Sequence, residues 1–182
     1  MTTLNLAMAL EAMGHGADYF GSTTGNDKKT FEALRWIEGV NPPAWRDVQA
    51  INDEQIVPVM RANSIEGLKH YAEHARLHFI TPGSGKAMVY QAKLEEARRY
   101  ESDDQRDDDK YPLIMARRNV TGQTAQEVVG EWLSKALAWA KIAAEIEAIE
   151  DEGTIQIGKA PAAAIDDVAQ SYKDRLKEII KQ

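Results

Sequence analysis

The stretch TAQEVVGEWLSKALAWAKIAAEIEAIE, from Thr124 to Glu150, decides the fold because it predicts one long amphipathic helix. Its first four residues form a capping box, in which the Thr124 hydroxyl and the Glu127 carboxylate each accept a backbone N–H that a helix start leaves free. No proline interrupts the stretch, which spans about 40 Å as a helix. Apolar residues recur along it at 3-4-3-4-3 spacing and predict a single stripe: Val129, Trp132, Ala136, Trp139, Ala143 and Ile146.

A helix of this length with one apolar face has to pack on other helices, either in its own chain or in a partner. Trp132 and Trp139 are core residues in most helical proteins, and the alternative is that they anchor an interface, where tryptophan is enriched. The stretch therefore indicates architecture rather than chemistry.

The first forty residues predict a small unit of mixed structure. Leu4–Met13 has a helical pattern that glycines end, and the strand-like Ala17–Thr24 leads into a turn at Gly25–Asp27. Thr30–Glu38 fits two structures. The propensity of Glu32–Arg35 favours a helix, whereas the aromatic residues beside the turn suit the second arm of a hairpin. We predict the strand.

The chain after residue 40 predicts further helices. Asn41 and Pro42 are a good helix start, Pro58 interrupts or bends the next segment, and Asn63 or Ser64 caps another helix. The stripe of that helix is Ile65, Leu68, Ala72, Ala75 and Phe79; after a break at Thr81–Gly83, a helix from Ser84 places Ala87, Tyr90, Leu94 and Ala97 on one face; and a final helix over Ala162–Lys181 turns Ile165, Val168, Tyr172, Leu176 and Ile179 inward.

Loops and breaks separate these helices. The acidic run Asp103–Asp109 predicts a solvated loop. A short helix is expected over Pro112–Val120, with Gly122 where a left-handed cap residue belongs. Gly153–Pro161 predicts a break after the long helix, with some extended structure at Thr154–Ile157.

The composition is that of an ordinary folded protein. The 182 residues are 43% hydrophobic and 28% charged, and the net charge of −7 argues against a nucleic-acid binder. Because there is no cysteine, neither a disulfide nor a thiolate zinc site is possible. The first ten residues lack a basic segment, and no apolar run approaches the ~18 residues of a membrane span, so we expect no signal peptide and no membrane association.

These patterns predict a mainly α fold: a helical bundle with long amphipathic helices plus a small N-terminal α/β hairpin unit. The expected domains are the N-terminal unit at residues 1–40, the helical bundle at 41–160 and the C-terminal amphipathic helix at 161–182.

Three histidines are the strongest candidates for metal ligands. His70, His74 and His78 recur at i, i+4 and i+8, so adjacent pairs could chelate an ion. On a helix, however, they lie nearly opposite the apolar stripe, and a ladder on one helix lacks converging third and fourth ligands. We therefore interpret them as a polar face toward solvent or a partner, and predict no metal site.

Two other stretches only partly match ligand-binding motifs. Gly83-Ser84-Gly85-Lys86 is similar to a phosphate loop, but Ile80 stands where the first glycine belongs and Ala87 where Ser or Thr belongs. Asp103, Gln105 and Asp107 alternate as in a calcium loop that lacks its glycine and its final Glu. There is also no Gly-x-Ser-x-Gly elbow. We predict no catalytic, cofactor-binding or metal-binding residues, and no cofactor.

Two sets of segments, which together cover about two thirds of the chain, carry a resemblance to known proteins. The first set consists of Leu4–Leu10, Gly16–Phe20, Phe31–Trp36 and Asn41–Trp45. The second set consists of Lys86–Ala97, Tyr111–Ile114, Thr121–Gly122 and Thr124–Glu127 with the long helix. Both sets resemble small structural proteins encoded in the tail modules of bacteriophages and prophages. The first is similar to short units of tail-fibre-associated proteins, in which a hairpin ends in Trp, a Pro pair comes next and a helix begins, and the second resembles helical domains of phage tail proteins. The acidic insert 103–109 and the helix after Pro161 have no counterpart.

The resemblance implies a non-enzymatic virion protein, associated with the baseplate or tail fibre and acting by protein–protein docking. It also supports the strand at Phe31–Ile37. The expected partners are other tail, baseplate or fibre proteins and further copies of the chain, and the expected location is the phage tail after assembly in the host cytoplasm. The alternative is a tail-fibre assembly chaperone that leaves before the virion matures, and a metal-dependent enzyme built on the histidine ladder ranks third.

Overall fold

The computed structural model describes residues 4–80 and 83–181. It is 75% helical with a small two-stranded antiparallel sheet, which confirms the predicted helical bundle with a small N-terminal hairpin. None of the described helices is long and apolar enough to cross a membrane. The elements in chain order are α1 (Leu6–Ala12), β1 (Tyr19–Phe20), α2 (Lys28–Glu32), β2 (Arg35–Trp36), α3 (Trp45–Ile51), a π-helical segment (Asn52–Ile56), α4 (Val57–Phe79), α5 (Ser84–Ser102), a 3-10 turn (Asp108–Lys110), α6 (Pro112–Thr121), α7 (Ala125–Lys159), a 3-10 turn (Ala162–Ala164) and α8 (Ile165–Ile180).

The described residues form two compact units that do not follow the order of the chain. Unit 1 contains residues 4–71 and 149–176, and unit 2 contains residues 72–80, 83–148 and 177–181. The predicted domain boundaries at residues 40 and 160 stay a prediction.

Three asparagine side chains hold the start of α1 in unit 1. The backbone N–H of Asn5 donates to Asn52 Oδ1 (2.9 Å), that of Leu6 to Asn26 Oδ1 (2.9 Å) and that of Met8 to Asn5 Oδ1 (3.2 Å). These bonds satisfy donors that a helix start leaves without an intrahelical acceptor. The core beneath α1 consists of Leu4, Leu6, Ala9, Leu10, Phe31, Leu34 and Val48.

The N-terminal sheet is shorter than the predicted hairpin. β1 and β2 pair antiparallel with Tyr19 opposite Trp36 and Phe20 opposite Arg35. The predicted strand from Thr30 is wrong over its first residues, because Asp27 accepts the Thr30 N–H (2.7 Å) and starts the helix α2. Local propensity therefore prevails up to Glu32, and the strand prediction holds only at Arg35–Trp36.

A continuous helical rod runs from α3 through the π-helical segment into α4. The predicted start at Asn41 and Pro42 is wrong, since a residue before a proline is pushed out of the α region and α3 begins only after Pro43. Pro58 interrupts the α-helical hydrogen bonding, as predicted, but not the rod. Directly before it the Val57 N–H reaches back five residues to the Asn52 carbonyl.

The predicted helix start at Asn63 or Ser64 is wrong, because α4 already begins at Val57. Ser64 donates its hydroxyl to Asp166 Oδ1 of α8 (3.2 Å) instead of capping a helix. The predicted stripe is confirmed: Leu68, Ala72 and Ala75 are fully buried, and Ile65 and Phe79 are half-buried.

The helix α7 confirms the capping box and runs further than predicted. The Glu127 N–H donates to Thr124 Oγ1 (3.2 Å), and the Thr124 N–H donates to Glu127 Oε2 (2.7 Å). The predicted break at Gly153–Pro161 is wrong up to Lys159, where α7 ends, and holds only at Ala160 and Pro161. The predicted extended structure at Thr154–Ile157 is wrong, because these residues are helical. The continuation runs through unit 1, where the last turns of α7 contact α4 and α8.

The helix α8 confirms the predicted inward face. Ile165, Tyr172, Leu176 and Ile179 are buried and Val168 is half-buried. Arg175 of this helix donates to Glu152 Oε2 of α7 (2.8 Å) and lies over the Tyr172 ring, 4.9 Å from its centre. The bond from Arg175 lowers the pKa of the Glu152 carboxyl.

The core of unit 2 is formed by α5, α6 and the first turns of α7. Its buried members are Ala97, Tyr100, Tyr111, Ile114, Ala125, Val128 and Val129. Gly122 has φ +74° and ends α6 in the left-handed conformation that its position predicts.

Glu96 of α5 is a buried carboxylate that caps a neighbouring helix. It is 3% exposed, and its Oε1 accepts the Ile114 N–H of the first turn of α6 (2.8 Å). Replacing Glu96 by Ala leaves that buried N–H without an acceptor, and we expect the free energy of unfolding to fall by about 1–3 kcal/mol in urea titrations. The Gln variant keeps an acceptor oxygen and should lose less. The exposed neighbour Glu95 is the matched control, and equal losses for Glu95→Ala and Glu96→Ala would contradict the capping role.

Candidate functional site

The main candidate site is an apolar groove between α5 and α7 in unit 2, with a volume of about 340 Å³. We call it the α5–α7 groove. Among the residues that line it, Arg98 alone carries a charge. The lining consists of Leu94, Arg98, Leu133, Ala136, Leu137, Trp139 and Ala140. Such a surface can bind an apolar side chain or a helix face, but it offers no nucleophile, acid or base.

The helix α7 forms one wall of the groove because it carries two apolar stripes. The stripe predicted from the sequence is confirmed, with Val129 and Ile146 buried and the four residues between them half-buried. The second stripe is Leu133, Leu137, Ala140 and Ala144, at 4-3-4 spacing and about 100° around the helix from the first. Leu133 is half-buried, whereas Leu137 is 60% exposed and the two alanines are exposed.

The helix α5 forms the other wall of the groove, and its apolar side chains become more exposed toward its N-terminus. Ala97 is fully buried and Leu94 is half-buried, but Tyr90 is 52% exposed and Met88 is 72% exposed. The Lys93 ammonium lies 5.2 Å from the centre of the Trp132 ring and joins the two helices at this level. Tyr90 lies one turn before Leu94 on the same face of α5 and extends the apolar surface beyond the groove, whereas Met88 lies on a different face.

A second cavity, of about 410 Å³, lies at the N-terminus of α7. Several polar groups around it have partners within unit 2, whereas the buried Gln123 Oε1 has none among the described residues. Arg118 donates to Asp108 Oδ2 (3.3 Å), Gln123 Nε2 donates to Glu131 Oε2 (3.2 Å), and Glu127 completes the capping box. Bonds from Thr124 lower the pKa of the Glu127 carboxyl, which keeps it ionised at the positive end of the helix. This arrangement stabilises the helix start and leaves no group free for acid–base chemistry in the cavity lining described.

The three ladder histidines lie on α4 with exposed side chains, as their spacing predicts. His70 Nε2 is 3.3 Å from Glu66 Oε1 on the same helix, and the His78 ring meets Phe79 edge-on. Among the described residues, no three His, Asp or Glu side chains gather closely enough to hold a metal ion.

The two motif-like stretches take part in loop structure. Gly83 has φ +126° and directly precedes α5, whose first residue is Ser84; Thr81 and Pro82 lie outside the described residues. In the acidic loop, Asp103 Oδ1 accepts the Gln105 N–H (2.9 Å) and Asp107 Oδ1 accepts the Asp109 N–H (3.2 Å). Both carboxylates therefore support turns.

The hydrogen bond between Tyr111 and Asp103 makes the stability of unit 2 sensitive to alkaline pH. The Tyr111 hydroxyl donates to Asp103 Oδ2 (2.6 Å), which lowers the pKa of Asp103 and raises the pKa of Tyr111 to about 12. Since the folded-state pKa of Tyr111 is raised, its contribution is complete below pH 10, the ordinary value, and is lost as the pH rises toward 12.

We therefore expect the stability difference between wild type and Tyr111→Phe to shrink over that alkaline range. Urea midpoints measured across a pH series test this. In an Asp103→Asn background the difference should depend much less on pH, and an unchanged dependence there would rule out the assigned partner.

Reasoning from the sequence found one apolar stripe of α7 and missed the other. It identified the stripe that α7 buries in its own chain, including Trp139. It missed the second stripe, whose 4-3-4 spacing is visible in the sequence, because Ala140 and Ala144 carry too little apolar surface to mark a face. It also could not show at which residue of α5 the apolar face changes from buried to exposed.

No protein family, no curated protein and no solved structure matches this chain, so the site rests on its own geometry.

Proposed function

We propose that this chain is a structural protein that docks another protein on the α5–α7 groove, and that it does so as a component of a bacteriophage tail. The observation that carries the docking function is the apolar lining of the groove, in which Leu137 is 60% exposed, together with the exposed Tyr90 one turn before Leu94 on the same face of α5. Fully burying a side chain of this size stabilises an interface by about 1.5–3 kcal/mol relative to leaving it in water. Exposed patches of this kind mark interaction sites in folded proteins.

The assignment to a phage tail is supported by the sequence resemblance to tail-module proteins. In this proposal the partners are baseplate, tail or fibre subunits, and the protein is assembled in the host cytoplasm and remains in the virion. An architectural role also suits a chain whose ionisable groups support turns, caps and helix pairs.

Mass spectrometry of purified particles from a phage that encodes this chain tests the proposal. We expect the protein at a fixed ratio to the other tail subunits, and we expect Leu137→Glu to remove it from particles while it remains soluble in the lysate. The control is Val120→Glu, since Val120 is 84% exposed on α6 and lies outside the groove. Absence of the wild-type protein from particles would refute a virion role, and its recovery with fibre subunits from the lysate would then favour the chaperone.

A further inference from the structure

We infer that the α5–α7 groove binds an amphipathic helix of a partner protein, and that this helix carries carboxylates on both sides of its apolar stripe. The inference rests on the proposed docking function and names the chemistry of the partner. The apolar lining of the groove includes Leu94, Leu133, Ala136 and Trp139, which are half-buried, and the exposed Leu137. A groove between two helices, lined by aliphatic and aromatic side chains, accepts the apolar face of a third helix.

The charges at the edges of the groove define the flanks of the partner helix. Arg98 stands on the α5 edge and is exposed. Lys141 does not line the groove, but helix geometry places it beside the lining residues of α7, one turn after Leu137, and it is exposed. Among the described residues neither cation has a carboxylate partner, and no carboxylate lines the groove. Of the acidic residues near Arg98 on α5, Glu96 is buried and accepts the Ile114 N–H, and Glu95 accepts a hydrogen bond from Gln91 (3.1 Å). Glu101 lies one turn after Arg98.

This pair of cations contrasts with the chain as a whole, whose net charge is −7. A partner helix with acidic flanks would place a carboxylate beside each cation, whereas one with basic flanks would meet like charge at both edges. Charge matching at an interface selects the partner and speeds association.

A second copy of this chain is a poor occupant on the same grounds. The amphipathic helix α8 begins with Ile165-Asp166-Asp167 but already buries its stripe, with Ile165 and Leu176 fully covered. The uncovered stripe of α7 is flanked by Lys141, with Glu145 one turn later, so this flank would bring a cation as well as a carboxylate to the groove. The groove therefore favours a different protein.

Two synthetic helical peptides test the inference on the full-length protein. Both carry the same leucine stripe at 3-4 spacing, and one has glutamates and the other lysines on both flanks. With labelled peptides, fluorescence anisotropy should show the glutamate peptide binding at least about tenfold more tightly, a difference of about 1.4 kcal/mol. The double variant Arg98→Glu with Lys141→Glu should reverse this preference. The control Arg46→Glu, at a residue of unit 1 whose side chain is 87% exposed, should leave it unchanged.

Several outcomes would overturn the inference: no binding of the glutamate peptide, equal affinity for both peptides, or a preference that ignores the reversal at Arg98 and Lys141. So would a wild-type dimer that Leu137→Glu converts to a monomer, because a second copy would then cover the groove. The two proposals fail separately. If the glutamate peptide is preferred but the particles lack the protein, only the assignment to a phage tail is refuted. If the particles contain the protein but neither peptide is preferred, only the inference of an acidic partner helix is refuted.

Discussion

Replacing Gly153 by alanine is expected to lower the free energy of unfolding by up to about 2 kcal/mol. A Cβ at this position would lie 2.5 Å from Leu68 Cδ2 of α4 and 2.9 Å from the Tyr172 ring of α8. Both distances are far below van der Waals contact, and both neighbours are held in the core of unit 1. Overpacking a core costs about 1–3 kcal/mol, while removing a glycine from a helix interior returns up to about 1 kcal/mol. The steric cost exceeds the gain because two of the three packed helices would have to move.

The matched control for this substitution is Gly130→Ala in the same helix. Gly130 is exposed, and a Cβ there would meet nothing within 4 Å, so only the helix-propensity gain of about 0.5–1 kcal/mol remains. Urea unfolding should therefore shift in opposite directions for the two variants. A stabilised Gly153→Ala protein would mean that α4, α7 and α8 do not approach as closely as described.

Replacing Arg61 by methionine is expected to cost about 2–3 kcal/mol of unfolding free energy. From α4, the Arg61 guanidinium donates to the carbonyls of Ile157, Gly158 (2.8 Å) and Ala160 (2.9 Å) at the end of α7. A helix end leaves its last carbonyls without intrahelical donors, and no other residue satisfies them here among the side-chain bonds described. Hydrogen bonds from a charged donor contribute about 1.5–3 kcal/mol, and methionine keeps the length of the side chain but none of its donors.

The Arg61→Lys variant distinguishes the contribution of the positive charge from that of the hydrogen-bond geometry. It keeps the positive charge at the negative end of the helix but cannot reproduce the planar fork, so Arg61→Lys should recover only part of the loss. The surface control Arg46→Met, at a residue paired only with its neighbour Asp47, should change the free energy by less than about 0.5 kcal/mol. If Arg61→Met were as mild as this control, α7 would not depend on α4 for its last turn.

The same two residues explain why the end of α7 could not be predicted from the sequence. Gly153 and Gly158 are ordinary helix-ending signals when only neighbours along the chain are considered. In the folded chain, position 153 requires a glycine because α4 and α8 pack directly against it. The last carbonyls of α7 accept hydrogen bonds from Arg61, which lies 96 residues before Ile157 in the sequence. Neither of these long-range contacts can be read from the residues that neighbour Gly153 or Gly158 in the sequence.

Features that depend only on local chemistry were predicted well. The capping box at Thr124, the left-handed Gly122 and the apolar stripes of α4, α7 and α8 all need no information beyond a few neighbouring residues. The α5–α7 groove could not be predicted in this way, because it depends on which apolar side chains no other part of the chain covers. The sequence marks Trp139 as apolar but cannot say which side of it the chain leaves open.

The π-helical segment Asn52–Ile56 determines which length changes the rod can accept. Its hydrogen bond spans five residues instead of four, so the segment holds one residue more than an α-helix over the same turn. Because that turn takes up the extra residue, deleting one residue there other than Asn52 would restore uniform α-helical bonding and leave α3 and α4 close to their present rotation about the helix axis. Asn52 has to stay, since its Oδ1 accepts the Asn5 N–H. The same deletion in α3 after Val48 would instead rotate Val48 by about 100° relative to α4 and remove it from the core under α1. The π-helical turn is therefore the place where this continuous helix can lose a residue while its first helix stays anchored.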